Sequence, residues 1–454
     1  MKIHTFKGGI FPPELKEHSN KCPIKDVFPS SKTVTIPVTM GGAANVPCVA
    51  VGDSVAKGQV IAFGDKFMNC PVHSSVSGKV RKIQNCVVTG NQEALCIIIE
   101  ADDENRTDFM EVLNPFDCEP EKVLERIKDA GIVGMGGASF PTHVKLNPPK
   151  DKTIDYVLIN AAECEPYLTC DERILQEDTK KFVDGIAVVL RLVGAKGIIA
   201  LEENKSYIRP LIMQEIEKQG YDDDISICVI KTKYPQGSEK FITKSCLGIE
   251  IPSAKLPSDA GVIVCNVGTV CAISDACRLG KPLIERTLTV SGNAVENPCN
   301  IRVPIGTLVS DLIPDVFTLK ENAVAKIISG GPMMGFAMET SAFPIAKGTS
   351  GVVFLTKEET YLGEEEQCIS CANCANRCAM RLTPVMIIRE LKAGNLDKAK
   401  KFGLMDCIEC GCCVFVCPAH INIVQRIRLG KNLMRQKIAE QNAKEQALKK
   451  QNKN

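Results

Sequence analysis

The sequence is poor in three things, and each shortage narrows its class. It has no apolar run of the roughly 18 residues that a membrane helix needs. The richest stretch, 186–201, is interrupted by Arg191, Gly194, Lys196 and Gly197. It has no charge excess: 55 Lys and Arg against 54 Asp and Glu leave a formal net charge of +1, whereas a nucleic-acid binder carries a basic surplus. Its opening, MKIHTFKGGIFPPE, has no apolar core of signal-peptide length, so export is not expected. These shortages lead to an expectation of a soluble cytoplasmic chain that reaches a membrane only through partners.

What is abundant is cysteine. The 454 residues contain 23, in a chain whose 44% apolar content is enough for well-buried cores. A length of this order divides into about three or four domains. Disulfide scaffolds are short, secreted and richer in cysteine, so they do not account for the 23. Fourteen are scattered and read as small buried apolar groups in a reducing compartment. The other nine lie between Cys368 and Cys417 and need a different account.

The pattern along the chain predicts a multidomain α/β and β protein. Residues 33–99 are rich in Val, Gly and short alternating segments, which predicts a small all-β domain within residues 1–112, and segments 51–61 and 71–80 resemble a biotinyl/lipoyl-type barrel-sandwich. A carrier role there would need a suitably flanked Lys at a hairpin tip. Lys66 stands near that place without the flanks, so a structural domain is expected. Residues 113–285 alternate helix and strand, which predicts a sheet covered by helices. The expected helices are 121–132, 171–193 and 206–219, the last containing Pro210; the expected strands are 154–161, 197–201, 225–230 and 260–267. Residues 286–345 return to short strands, 346–430 hold the cysteine-rich region, and 431–454 form a polar tail expected to be a frayed helix or disordered.

Cys368, Cys371, Cys374 and Cys378 form a Cys-x-x-Cys-x-x-Cys-x-x-x-Cys run, and Cys407, Cys410, Cys413 and Cys417 repeat it, followed by Pro418. In the two-cluster ferredoxin pattern, three thiolates of a run wrap one cubane and the fourth ligates the other. The expected ligands are therefore Cys368, Cys371, Cys374 and Cys417 for one 4Fe-4S cluster and Cys378, Cys407, Cys410 and Cys413 for the second. Paired zinc sites are the plain alternative, but zinc gives no reason for a third Cys at the next step. Cys412 lies outside the spacing. The longer connection between the runs, with Pro384 opening an apolar-periodic stretch, predicts an inserted helix.

Two further features precede the cysteines. Gly134, Met135, Gly136, Gly137, Ala138, Ser139 and Phe140 form a glycine-rich loop, where backbone N–H groups can approach a phosphate. No strand precedes it, so it is not a dinucleotide fingerprint, and a tight turn reads the residues equally well. Asn160, Glu163 and Glu165 stand at the end of a predicted strand, where α/β sheets bind ligands; a solvated acidic loop is the alternative.

Together these segments resemble a known pair. GMGGASFPTHVKL and NAAECEPYLTCDER are similar to the loops of the flavin-binding 51-kDa-type subunit of respiratory complex I. With FKGGIFPPELK, NVGTVCAI, PLIERTLTVSGN and SGGPMMG, the chain resembles the C subunits of the Rnf family, membrane-associated ferredoxin:NAD oxidoreductases coupled to Na⁺ or H⁺ translocation. The resemblance implies a noncovalent FMN on the 134–140 loop with Lys145 and Asn160 nearby, and NAD(H) as substrate. It places Glu163 and Glu165 near flavin and nicotinamide, while Ala162 and Leu146 depart from the complex I pattern. Segment 286–345 resembles a soluble-ligand-binding β-grasp module. The implied partners are the other subunits of a membrane-bound complex and, indirectly, ferredoxin, with the chain peripheral on the cytoplasmic face and no nucleic acid involved. A cobalamin reductase of diol-utilisation microcompartments and a non-enzymatic iron-sulfur scaffold are the alternatives.

Overall fold

The computed structural model describes residues 2–361 and 363–451. They form two compact units, the first comprising 2–5, 13–232 and 236–360, the second 6–12, 233–235, 361 and 363–451. Among the described residues no helix is long and apolar enough to cross a membrane.

In the first unit the N-terminal sandwich is built on the hairpin of Gly78–Val88 and Gln92–Ala101, flanked by Thr33–Pro37 and Ser54–Val55. A second small sheet of Val46–Pro47, Val60–Phe63 and Val72–His73 completes it. A four-stranded parallel sheet follows, in the spatial order Ile225–Ile230, Lys196–Glu202, Tyr156–Ala161, Val262–Asn266. Its strands are runs of Val, Ile and Leu because helices cover the sheet, as parallel sheets require. One apolar core runs from Val34, Ile36 and Val80 of the sandwich to Ile159, Val183 and Val270 of the parallel-sheet region.

The remaining sheet has six strands, in the order Ile24–Asp26, Cys299–Pro304, Glu285–Ser291, Gly351–Leu355, Lys326–Ser329, Phe336–Met338. The β-grasp segment supplies four of them. Ile24–Asp26 comes from far upstream, and Gly351–Leu355 lies beyond residue 345.

Helix 171–193 is interrupted. Asp178 leaves helical geometry (φ −114°, ψ 27°), separating Cys170–Glu177 from Thr179–Val193. Pro210 sits in the first turn of Arg209–Gln219, after a 3-10 stretch at Glu203–Ile208, which is where a ring without an N–H does no harm.

In the second unit, helices Pro384–Lys392, Leu396–Lys401 and Ile423–Gln451 pack on a core that includes Ile387, Leu404 and Ile427. Pro384 opens the inserted helix at its first position, and the last helix runs through most of the polar tail. The short segments 6–12 and 233–235 join this unit: the Tyr234 hydroxyl donates to the Cys410 carbonyl at 2.6 Å.

Within the first unit, the glycine-rich loop is gripped by its neighbours. A Cβ on Gly41, in the sandwich, would lie 2.0 Å from the Ser139 carbonyl oxygen, and one on Gly348 would lie 2.3 Å from the Ser139 hydroxyl. The buried Lys347 ammonium donates to the carbonyls of Pro71 (2.8 Å) and Gly131 (2.7 Å), tying the same three regions together. Gly41→Ala should therefore lower the unfolding free energy by about 2–4 kcal/mol, because it adds a backbone clash to the strain of φ +97°. Gly52 has φ +100° with nothing near its Cβ, so Gly52→Ala should cost only the strain, about 1 kcal/mol. Equal losses in the two variants, measured by denaturant titration, would refute the grip on Ser139.

Candidate flavin and cluster sites

The parallel sheet dictates where a ligand can sit. From Tyr156–Ala161 the chain moves to one side for its next two strands, then crosses to the other side for Val262–Asn266. The strand order reverses between Tyr156–Ala161 and Val262–Asn266, and such switch points open a crevice at the carboxyl ends. Their register pairs Asn266 with Asn160, so two amides stand side by side at that crevice. The Asn160 Nδ2 donates to the Gly237 carbonyl at 2.7 Å, and its Oδ1 accepts from the Ala162 N–H at 3.2 Å. The Asn266 Oδ1 caps the Val267–Arg278 helix by accepting the Gly268 N–H at 2.9 Å.

The glycine loop closes over this point. Its ends are pinned by Gly134 N–H to the Phe140 carbonyl (2.9 Å) and Thr142 N–H to the Ile132 carbonyl (3.0 Å). Its middle is anchored by the Met135 N–H on the Thr269 hydroxyl at 3.0 Å. A Cβ on Gly136 would meet the Asn266 amide at 2.9 Å, so that glycine is a packing requirement. A Cβ on Gly137 would meet nothing within 4 Å, so packing against the protein does not demand glycine there. A ligand lying against the loop would demand it. Phe140 is partly exposed and Ser139 has a positive φ of 52°. Below the loop, Lys145 extends to the Glu239 carboxylate (2.7 Å) and the Val264 carbonyl (3.0 Å).

The acidic pair is held by backbone. Glu163, itself at φ 47°, accepts the N–H groups of Asp171 (2.7 Å) and Glu172 (3.3 Å), and so caps the Cys170–Glu177 helix, where a carboxylate also suits the helix dipole. Glu165 accepts the N–H groups of Met333 (2.9 Å) and Met334 (3.0 Å) in the β-grasp segment. The Lys16 ammonium binds the carbonyls of Glu163, Glu165 and Leu168 from the other side.

Sequence reasoning missed Asp171, Gly237, Glu239, Asn266, Thr269 and Arg286. For Asn266 the signal was present: it ends a strand as Asn160 does, within the NVGT segment. For the others it was long-range.

Asp171 is buried, its Oδ2 accepting from the Asn266 amide at 2.7 Å while its Oδ1 finds no partner. Burial first, then the Glu163 carboxylate, push it up to about 6 against the opposing pull of Arg286. A carboxyl whose folded value is raised above its ordinary 3.8 favours the folded state at low pH, and that contribution is lost as pH climbs through 4 to 6. Asp171→Asn should therefore raise the unfolding free energy at pH 8 by on the order of 1–3 kcal/mol and change it little at pH 4. A gain of the same size at both pH values would contradict the buried-carboxyl account.

In the second unit the cysteines of the two runs lie close enough to act on one another: besides burial, Cys417 and Cys368 raise the Cys374 thiol, Cys410 that of Cys378, Cys410 and Cys378 that of Cys407, and Cys407, Cys410, Cys378 and Cys374 that of Cys413. Burial pushes the Cys407 thiol up to about 11 and raises Cys374, Cys378 and Cys413 as well. None of the eight is in a disulfide. Cys412 is buried with its sulfur toward the Tyr234 carbonyl (4.0 Å), and a hydrogen bond to Cys410 followed by burial holds it as a thiol.

The match with known families follows the chain in order. Residues 4–104 match the RnfC barrel sandwich hybrid domain, 127–275 the Nuo51 FMN-binding domain, 287–337 the SLBB domain and 361–433 a 4Fe-4S dicluster domain. The C subunit of the proton-translocating ferredoxin:NAD(+) oxidoreductase complex of Clostridium ljungdahlii is 41% identical, over 95% of this chain and 94% of that protein. Its counterpart in the Na(+)-translocating complex of Acetobacterium woodii is 38% identical, over 95% and 97%. The one in the ion-translocating oxidoreductase complex of Rhodobacter capsulatus is 36% identical, over 95% and 83%. A chain of the NAD+-reducing NiFe hydrogenase in its H2-reduced state shares the fold at a TM-score of 0.50, with 19% identity over 68% of this chain and 61% of that one.

Proposed function

Given that the chain belongs to the RnfC family of ion-translocating ferredoxin:NAD(+) oxidoreductase complexes, we propose that it carries electrons between NAD(H) and the other subunits of such a complex. Its means are one noncovalent FMN and two 4Fe-4S clusters. A flavin accepts a hydride as an electron pair and returns single electrons, the conversion that one-electron clusters cannot perform.

The observation that carries the reading is the open cradle at Gly137, above two strand-end asparagines at a topological switch point. The donors there suit FMN. Lys145 and the N–H groups opening the Val267–Arg278 helix suit a phosphate. The amides of Asn160 and Asn266 suit the polar edge of a flavin ring. The residues 134, 136–140, 145 and 160 form its immediate surroundings, and Glu163 and Glu165 fix the wall toward which a nicotinamide would be brought. Cys368, Cys371, Cys374 and Cys417 hold one cluster; Cys378, Cys407, Cys410 and Cys413 hold the other. The chain attaches to the cytoplasmic face of the cell membrane through its partner subunits.

Two measurements test these assignments. In anaerobically purified protein, Gly137→Val should fill the cradle with a branched side chain, so that flavin washes out at least tenfold more readily while iron and sulfide per chain stay at the wild-type level. Full flavin occupancy in that variant would remove the loop from the site. By electron paramagnetic resonance, Cys378→Ala and Cys407→Ala should perturb the same cluster signal, and Cys368→Ala and Cys417→Ala the other. Grouping of Cys378→Ala with Cys368→Ala would mean that each run binds its own cluster.

A further inference from the structure

Of the cationic side chains around the glycine loop and the acidic loop, some have a carboxylate among the described residues, while Lys16, Lys347 and Arg286 do not; Lys16 bonds only to the carbonyls of the acidic loop. Lys145 pairs with Glu239, and Lys205 pairs with Glu202 at 3.0 Å. Lys347 and Arg286 are buried and form no salt bridge with any described residue. Lys347 can shed its proton, and burial already pulls it below the ordinary lysine value. A guanidinium has no such exit, so Arg286 keeps its charge.

Arg286 lies on the β-grasp strand Glu285–Ser291 and is 2% exposed. Its hydrogen bonds go to main chain and sulfur. Nε donates to the Thr349 carbonyl (2.7 Å), Nη2 to the Met135 carbonyl (3.1 Å) and Nη1 to the Met135 Sδ (3.5 Å). Carbonyl dipoles orient a guanidinium without neutralising it, and an uncompensated buried charge is costly.

The surroundings deepen the imbalance. Arg286 Nη1 lies 3.2 Å from where Gly268 would carry a Cβ, in the first turn of the 12-residue Val267–Arg278 helix. That helix end carries positive partial charge of its own. The carboxylates in the neighbourhood have other work. Glu163 is bound by the N–H groups of the Cys170–Glu177 helix and lies 4.0 Å from the Lys205 ammonium. Asp171 attracts Arg286 without bonding to it, holds the Asn266 amide, and is raised by burial. A loop backbone, a helix end and a buried guanidinium thus place positive charge at the floor of one cradle, which Asp171 offsets through space without an ion pair and to which an anionic ligand group adds its own attraction.

We infer that Arg286 makes this site specific for a phosphate-bearing flavin: lying beneath the Met135 carbonyl, its guanidinium strengthens the field that holds the phosphate at the helix N-terminus. The inference rests on the FMN reading and gives the β-grasp module a task, the delivery of a buried cation to a loop that belongs to another sheet. Arg286 is a specificity-determining residue that acts through the loop and helix end rather than by reaching the reacting ring.

The test compares FMN with riboflavin, which lacks the phosphate, on the full chain stripped of flavin, by titration with fluorescence quenching. Wild type should favour FMN. Arg286→Met should shrink the FMN-to-riboflavin affinity ratio at least tenfold while riboflavin affinity changes less than threefold. Arg286→Lys loses the planar fork that spans Met135 and Thr349 but keeps the charge, and it should retain most of the ratio. If Arg286 merely shaped the loop, both variants would lose both flavins in equal proportion, and that result overturns the inference. So does a ratio unchanged in Arg286→Met. Should Arg286→Met fail to fold, Arg286→Lys decides together with inorganic phosphate as competitor. Phosphate should weaken FMN binding and leave riboflavin binding unaffected in both wild type and Arg286→Lys; loss of the ratio in Arg286→Lys refutes the charge. A wild-type chain that binds neither flavin would instead overturn the FMN reading itself.

Discussion

The candidate flavin site depends on the parallel pairing of Tyr156–Ala161 with Val262–Asn266, because that register alone puts Asn160 opposite Asn266. Slipping it by one residue would turn one asparagine to the opposite face of the sheet. From this pairing the rest follows in order. Asn266 caps the next helix and so fixes where its N–H groups point, Thr269 on that helix anchors Met135, and Met135 sets the height of the glycine loop above the strand ends. The strands themselves are held by Val, Ile and Leu buried on both faces, so the polar residues at their ends inherit a rigid frame.

Loops that surround a ligand cannot satisfy their carbonyls through regular secondary structure, and an unpaired buried carbonyl is costly. This chain solves that problem with buried cations. Lys16 takes three carbonyls of the acidic loop, Lys205 takes that of Ala162, Lys347 takes those of Pro71 and Gly131, and Arg286 takes those of Met135 and Thr349. Conversely Glu163 and Glu165 collect N–H groups from other segments of the chain. Much of the charge at this site is therefore scaffolding, which explains why so many ionisable groups are buried around it.

Spacing-dependent features were legible in the sequence and contact-dependent ones were not. The cysteine runs could be read because cluster ligation imposes a short, fixed local period. The strands of the parallel sheet could be read from apolar runs alone. The interruption at Asp178 could not, because Asp178 receives Arg302 from the β-grasp sheet at 2.7 Å and nothing in the local periodicity breaks. The bonds of Glu163 and Glu165 join residues 8 and 168 positions apart, and only the first distance lies within reach of a local pattern. Strand Ile24–Asp26 was hidden for the same reason: three residues with no alternation become a strand by pairing with Cys299–Pro304.

The cluster unit shows the same logic in a different material. Its apolar core counts Cys413 among its buried residues, with Cys374, Cys407 and Cys417 packed against it, so groups expected to ligate iron are also packing groups. Burial raises the thiols, and a raised thiol is a weak ligand unless a cation offsets the desolvation of its thiolate. Iron held by these cysteines would supply that offset and keep them as thiolates, and its binding would then add to the folding free energy, because such a site does not exist in the unfolded chain. The helices between and after the runs, Pro384–Lys392 and Ile423–Gln451, pack on the same core as the sulfurs, so these helices fix the positions of the cysteines.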